Sequence, residues 1–475
     1  MDTERALVSA VRPALAAACP ALSEGSPSDA VAGVVPSFVA SPASTAEVAA
    51  LLRAADEAGL AVVPRGAGTG LSWGAPPSRC DLALDLRSMD QVIEHAAGDL
   101  VARVQAGATI GQLAVALGSA GQQLALDVPA GATVGGVVAT GTAGPRRFRY
   151  GAPRDLLIGT TVVRADGVVA RSGGKVVKNV AGYDLGKLFA GSQGTLGVIT
   201  EATFRLHPLP AATAWVTAEF GQAERAGAVA AVASAAGSPL VPSAVELDWP
   251  GGSQRPLRVG VLLEGTGPGV AERVTQMSGL LAAPGGSVSV AETAPARWGA
   301  LPAGATVVRV SFWVSALDSV LEALAAAGAA AGVRAAVSGP AGAGALYACL
   351  DPGTPDADAV RFVTALRERI AGGAGPGGVG PGGVGPGGGG PGGPRGGVAV
   401  LAAAPAVLGA TRDGAVPGLA LMRAVKDQFD PDHRMFPGRG VCPGGNDPPQ
   451  TPPALGGLPA PPNPPGTPPR QGGGD

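Results

Sequence analysis

Two glycine-rich loops constrain this chain more than any other feature: Pro64-Arg65-Gly66-Ala67-Gly68-Thr69-Gly70-Leu71 and Pro129-Ala130-Gly131-Ala132-Thr133-Val134-Gly135-Gly136, the second running on to Thr140-Gly141-Thr142. A main chain without Cβ atoms turns tightly and presents neighbouring N–H groups to an anion. One such loop alone reads as a surface turn. Here both lie in one run of strand-like and helix-like segments, and together they read as a phosphate-binding pair. The strand LAVVP (60–64) runs straight into the first loop, and LALDL (82–86) and VARVQ (101–105) follow as further strands. Ser44-x-x-Glu47 and Thr109-x-x-Gln112 have the spacing of capping boxes. Each opens an apolar stripe, Val48, Leu51, Leu52 and Ala55 in one and Ile110, Leu113 and Leu117 in the other, so each starts a helix.

The remaining segments organise around this region. Residues 128–144 read as a Gly- and Thr-rich loop, 158–164 and 197–206 as buried strands, and 181–189 as a helix between them. After an N-terminal helical segment (1–35), residues 36–212 are expected to form one α+β domain of two α+β subdomains. From 213 to 410 a smaller α+β cap domain is expected, with strands at 244–247, 258–263 and 306–313 and an Ala-rich helix at 316–331. Of the 77 Gly and 45 Pro, 22 lie in GPGGV-like units over 371–397 and 20 in a Pro-rich tail over 443–475, far denser than elsewhere. Neither segment has apolar area to offset its ordering entropy, so the first is expected to be a mobile loop and the second a disordered tail. Between them, 411–442 is expected to supply a helix near 419–429 and return to the first domain.

A formal net charge of -2, with no run of Lys or Arg, leaves no footprint for nucleic acid or an anionic membrane. The start, MDTERALVSAVRPALAAACP, has acidic residues before a weak apolar run and is not read as a signal peptide. A cytoplasmic location is expected, with any membrane attachment peripheral to the inner face and made through a partner subunit. Cys19, Cys80, Cys349 and Cys442 are far apart, so an iron–sulfur centre has to sit on another chain. His95, His207 and His433 form no cluster at ligand spacing, and no metal site is expected.

Familiar nucleotide motifs do not match. Gly66-x-Gly68-x-Gly70 is one residue short of the Rossmann fingerprint, and Trp73-Gly74-Ala75-Pro76-Pro77 follows it instead of a helix. Around Gly182 to Lys187, Leu188 replaces the hydroxyl a P-loop needs.

Four ordered segments, VVPRGAGTGLSWG (62–74), PAGATVGGVVATGTAGPRR (129–147), YGAPRDLLIGTTVVRADG (150–167) and GSQGTLGVITEATFRLHP (191–208), resemble the FAD-binding domain of the vanillyl-alcohol oxidase and p-cresol methylhydroxylase (PCMH-type) flavoprotein superfamily. KVVKNVAGYDL (175–185) is further similar to the signature of the FAD-binding E subunit of bacterial glycolate oxidase. The resemblance implies that the loops Pro64 to Leu71 and Pro129 to Gly136 grip the FAD pyrophosphate, mainly through backbone amides. It places Thr140 and Gly141 near the flavin, and Gly194, Thr195, Gly197, Val198 and Ile199 at the adenine and ribose end. Val198 and Ile199 also read as plain core strand, and Arg154-Asp155 as a surface ion pair. A bulky β-branched residue at Gly68 or Gly135 is expected to intrude on the phosphate cradle and abolish flavin binding.

Relatives that hold flavin covalently use a His in the first loop or a Cys in the second. Leu71-Ser72-Trp73 and the segment 140–144 offer neither, so FAD is expected to be non-covalent and Cys80 an ordinary thiol. Relatives that oxidise 2-hydroxy acids carry an H-x-G-D-G-N-x-H element, which is absent, and no catalytic base can be named. Arg309 reads as a solvated or ion-paired strand residue or as a partner for a substrate carboxylate. Phe436 stands where relatives carry an Asn against the flavin. The resemblance thus implies the flavin subunit of a glycolate oxidase complex. A homologous catalytic flavoprotein subunit would oxidise glycolate, and an iron–sulfur subunit would take the electrons. An autonomous FAD-dependent 2-hydroxy-acid dehydrogenase and a non-catalytic assembly scaffold are the other readings.

Overall fold

The computed structural model describes residues 11–175, 184–221, 224–250, 256–296, 298–300, 304–371, 396–411 and 418–440. Most of the 175–185 signature, the GPGGV segment over 372–395, Cys442 and the Pro-rich tail lie outside the described residues. The first sheet contains β1 (Leu22–Glu24), β2 (Phe38–Ala40), β3 (Val62–Arg65) and β4 (Leu82–Asp85) in the order β1-β2-β4-β3. Both β2 and β3 run parallel to β4, a geometry that requires a crossover connection. The helix Thr45–Glu57 supplies it. The Ser44 hydroxyl accepts the Glu47 N–H at 3.2 Å, as the capping spacing predicts, and Val48, Leu51, Leu52 and Ala55 form the buried stripe.

Seven short strands follow: β5 (Val92–Ala96), β6 (Val101–Gln105), β7 (Gln122–Gln123), β8 (Leu157–Val163), β9 (Val169–Gly173), β10 (Val198–Arg205) and β11 (His207–Pro208). Five of them make an antiparallel sheet in the order β5-β6-β10-β8-β9, and β7 pairs with β11. These elements share one core that includes Leu51, Leu84, Val104, Val162 and Phe204, and Met435 inserts into it from the far end of the chain. There the Val62 N–H donates to the Arg434 carbonyl at 2.9 Å, and the Phe436 N–H donates to the Val62 carbonyl at 2.9 Å, so the segment 434–436 lies beside β3.

The third sheet has eight strands: β12 (Ala212–Phe220), β13 (Ala244–Trp249), β14 (Leu257–Gly265), β15 (Ser287–Ala291), β16 (Thr306–Phe312), β17 (Ala335–Gly339), β18 (Ala345–Leu350) and β19 (Gly396–Ala402). Their order is β15-β12-β14-β13-β17-β18-β16-β19. Alternation along the strands sends Val245, Leu247, Val261, Val308 and Leu346 into a second core beneath helices such as Arg225–Ala236 and Leu317–Ala331. Glu246, Glu264, Arg309 and Tyr347 fall on the opposite face. The Tyr150 hydroxyl donates to the Glu264 carboxylate at 2.9 Å, and the Gly74 N–H to the Leu401 carbonyl at 2.6 Å, joining this sheet to the first part of the chain.

Two expectations change. The stretch 128–144 contains a helix, Val134–Thr140, despite its Gly and β-branched residues; Val134, Val137 and Val138 are buried, and packing overrides weak propensity. Of the helix expected over 181–189, the described part is Gly186–Phe189. Among the described residues one helix, 314–331, has the length and hydropathy of a membrane span. Its buried face forms part of the second core, and its Asp318 is ion-paired with Arg225 at 3.0 Å.

Candidate cofactor site

The two glycine loops meet. A Cβ at Gly66 would stand 2.0 Å from the Thr133 hydroxyl oxygen, one at Gly70 2.9 Å from the Thr140 methyl, and one at Gly194 2.9 Å from the Pro64 ring. Each contact closes one seam of a cleft that any side chain would wedge open. Gly68 is needed for a different reason: its φ of +82° lies in the left-handed region. Pro64, Arg65, Gly66, Gly68, Thr69, Gly70, Leu71, Thr133, Gly135, Gly136, Thr140, Gly194, Gly197 and Ile199, all singled out from the sequence, line the cleft. Gln193, Phe436 and Arg439 line it as well, and only Phe436 among these three carried a sequence signal.

Other expected residues lie elsewhere. Val134 and Val198 are core residues at 0% and 1% exposure. Ala67 is exposed on the outside of the turn. Gly131, Thr195 and Gly141 do not line the cleft, while Pro129 and Ala132 border an adjoining chamber. Thr195 instead directs its hydroxyl to the Ser192 carbonyl at 2.7 Å, and its own carbonyl accepts from Lys426 Nζ at 2.6 Å.

The amides of the two loops differ in availability. In the second loop the N–H groups of Ala132, Val134 and Gly135 donate to the carbonyls of Pro129, Ala108 and Ala106. The N–H groups of Ala67, Gly68, Thr69 and Gly70 make no hydrogen bond among the described residues. An anion in this cleft therefore finds free donors chiefly on the first loop. Gly135 is also corrected as a phosphate contact. A Cβ there points at Ala106 Cβ, 2.8 Å away, so a bulky residue would lift the loop off the chain beneath it rather than enter the cleft.

Thr69, Gly70, Trp73 and Thr140 are shared with a neighbouring chamber of about 580 Å³, within the range of small-molecule sites. Its far wall is the polar face of the third sheet, with Glu246, Tyr347 and Trp298. Trp298 stands edge-on to Trp215 with ring centroids 6.3 Å apart. Asp127 lines the chamber but is held by Arg146, which donates Nε–H to it at 2.7 Å. Glu246 Oε1 is buried and accepts no hydrogen bond among the described residues. Burial, followed by the charges of Asp127 and Asp248, pushes its carboxyl well above the ordinary carboxylate range. Among the described residues no Lys or Arg lines this chamber. Arg309 sits opposite Tyr347 on the neighbouring strand but does not reach the chamber wall; its Nε is buried without a partner among the described residues. Burial, and then the charge of Arg309, lowers the pKa of Arg147.

Cys80 and Asp155 differ from expectation, and His207 packs on an aromatic ring. Cys80 is no ordinary exposed thiol but is buried against Val39, Val63 and Phe436, and burial pushes its thiol up to about 12. Asp155 accepts the Ala152 N–H at 2.8 Å instead of pairing with Arg154. His207 stacks at 4.7 Å on Tyr150, and burial lowers its pKa.

Comparison with known proteins agrees with this geometry. Residues 36–173 match the family described as "FAD binding domain". The chain is 39% identical over 178 residues to glycolate oxidase subunit GlcD of Bacillus subtilis (strain 168), covering 37% of this chain and 38% of that protein. It is 42% identical over 133 residues to glycolate oxidase subunit GlcE of Escherichia coli (strain K12), covering 27% of this chain and 38% of that protein. The matched region thus spans under two fifths of either relative, and the likeness to GlcD is at least as extensive as that to GlcE. A solved p-cresol methylhydroxylase with substrate bound superposes with a TM-score of 0.69 at 17% identity, over 92% of this chain and 97% of that one. The fold is therefore the α+β PCMH-type FAD-binding fold, and FAD is the cofactor that the cleft fits: glycine seams no side chain could replace, and unpaired amides beside a buried cation.

Proposed function

We propose that this chain is the FAD-bearing subunit of a cytoplasmic 2-hydroxy-acid oxidase complex of the glycolate oxidase type. The observation that carries the reading is the closure of Gly66 on Thr133, which brings two glycine loops around one cleft within the region matching an FAD binding domain. The similarity to GlcD and GlcE supports the substrate class, and the finer assignment as an E-type subunit rests on the sequence signature alone. In this reading Ala67 to Gly70 hold the pyrophosphate through their amides, with Thr133 and Gly136 opposite. Thr140 flanks the flavin, and Gly194, Gly197 and Ile199 border the adenine end. Bound FAD supplies reversible two-electron acceptance.

The adjoining chamber supports an accessory role. A 2-hydroxy acid is an anion at neutral pH, yet among the described residues the chamber has two acidic side chains and no cation along its walls. Glycolate oxidation on a homologous catalytic subunit, with electrons leaving through an iron–sulfur subunit at the inner face of the membrane, fits that electrostatic balance.

A second reading is favoured by the chamber's size and by Glu246: this chain oxidises a small substrate itself, with the Glu246 carboxylate taking the hydroxyl proton. The two readings separate in an anaerobic titration of the purified, FAD-loaded chain with glycolate. Flavin absorbance that persists is expected for the accessory subunit. Bleaching by glycolate would make this chain the dehydrogenase, and failure to take up FAD would leave only a scaffold.

A further inference from the structure

Two guanidiniums line the cofactor cleft, and their charges are handled differently. Arg65 is neutralised by Asp29 at 2.9 Å and Asp85 at 3.2 Å. Arg439 is 3% exposed and has no carboxylate partner among the described residues. Its Nε–H donates to the Ala75 carbonyl at 3.2 Å, its Nη2 to the Leu71 carbonyl at 2.6 Å, and its guanidinium lies 3.8 Å over the Phe436 ring. A buried charge is costly unless paired. Two carbonyls and a ring face satisfy part of a group that has five N–H donors and leave the rest for the cleft it lines. Burial brings the Arg439 pKa down to about 10, the direction expected of a cation without its counter-ion.

The surroundings identify the missing partner. Among the described residues no Asp or Glu lines this cleft. The carbonyl that fixes Arg439 belongs to Leu71, immediately after the unpaired amides of Ala67 to Gly70. Phe436 cannot donate or accept the hydrogen bonds of an amide side chain, but its face supports a cation. We propose that Arg439 is the counter-charge to the pyrophosphate of the bound cofactor, oriented by the Leu71 and Ala75 carbonyls and the Phe436 ring and acting together with the first-loop amides. The inference rests on the FAD reading above and adds a specific residue to it. An ionised partner on both sides makes this a charge-assisted contact, for which Arg geometry suits phosphate oxygens.

The test uses the full chain stripped of flavin, with wild type compared with Arg439→Met and Arg439→Lys. FAD binding is followed by flavin fluorescence quenching, and ADP, which carries the pyrophosphate without the flavin ring, is used as a competitor. Arg439→Met is expected to weaken both FAD and ADP by the same factor, about 10- to 100-fold. Arg439→Lys should recover part of that loss, and the Tm of the flavin-free chain should change little. A loss for FAD with none for ADP would assign Arg439 to the ring instead and overturn the proposal. Unchanged FAD affinity, or a fall in flavin-free Tm that accounts for the loss, would overturn it as well. If wild type binds neither ligand, the FAD reading fails first; if wild type binds both and Arg439→Met binds them equally, only the role of Arg439 fails.

Discussion

Single residues decide the site through what they cannot be and what they lack. Gly66 and Gly70 are legible as glycines in the sequence, but their reason, contact with Thr133 and Thr140, appears only once two distant loops meet. Glu246 gave no signal, because it is one polar position on an alternating strand until Trp298 and Asp127 close over it. Its raised pKa has a definite sign. A carboxyl more easily protonated in the fold than in the unfolded chain contributes stability that is fully present below its ordinary value of 4.5 and is lost as pH rises toward the folded value. Glu246→Gln should therefore match wild type near pH 4 and melt higher at pH 8, by on the order of 2–4 °C. Equal melting temperatures across that range would show that the carboxyl is solvated.

Among the elements, caps and periodicities were the readable part. Both capping-box spacings lie at helix starts, the reciprocal pair of bonds forming at Thr109, and the strands expected at 101–105, 244–247 and 306–313 form with small shifts of boundary. The helix Leu419–Phe429 was expected in the right place, yet its attachment could not be read. Leu421 and Met422 are exposed, and the one fully buried residue is Lys426. Its ammonium donates to the carbonyls of Thr195 and Met435 and to Asp430, whose carboxylate also receives the N–H groups of Arg434 and Met435. Val425 and Phe429 pack on the first core as an apolar stripe would place them, but two of the partners of Lys426 are main-chain carbonyls that no sequence pattern marks. Removing one member of such a pair strands the other, so Lys426→Met should cost about 3–5 kcal/mol in urea unfolding. Replacing Lys426 and Asp430 together by apolar residues should cost less than either change alone; an additive loss would contradict the pairing.

At the scale of the whole molecule, the class of the fold was legible but the strand order was not. Register in the eight-stranded sheet pairs segments such as β16 and β19 across a long, compositionally biased insertion, and local patterns carry no information on such pairings. The joint between the sheets is polar: Tyr150 donates to Glu264, whose carboxylate lies 3.7 Å from Arg146, which in turn holds Asp127. Burial, reinforced by Glu264, raises the Tyr150 pKa and keeps the phenol a donor. Tyr150→Phe removes that donor and leaves a buried carboxylate short of a partner, so a loss of about 1.5–3 kcal/mol in urea unfolding is expected. A neutral result would mean that Arg146 alone satisfies Glu264.

The cofactor cleft draws its walls from both ends of the folded region: Arg439 reaches the Leu71 carbonyl 368 positions away, and Phe436 stands against Gly194. A ribosome therefore has to deliver nearly the entire chain before the flavin has a complete berth. A chain that ends before residue 436 lacks two of the cleft's walls, Phe436 and Arg439, and is expected to take up FAD poorly, which the flavin absorbance of that truncation checks.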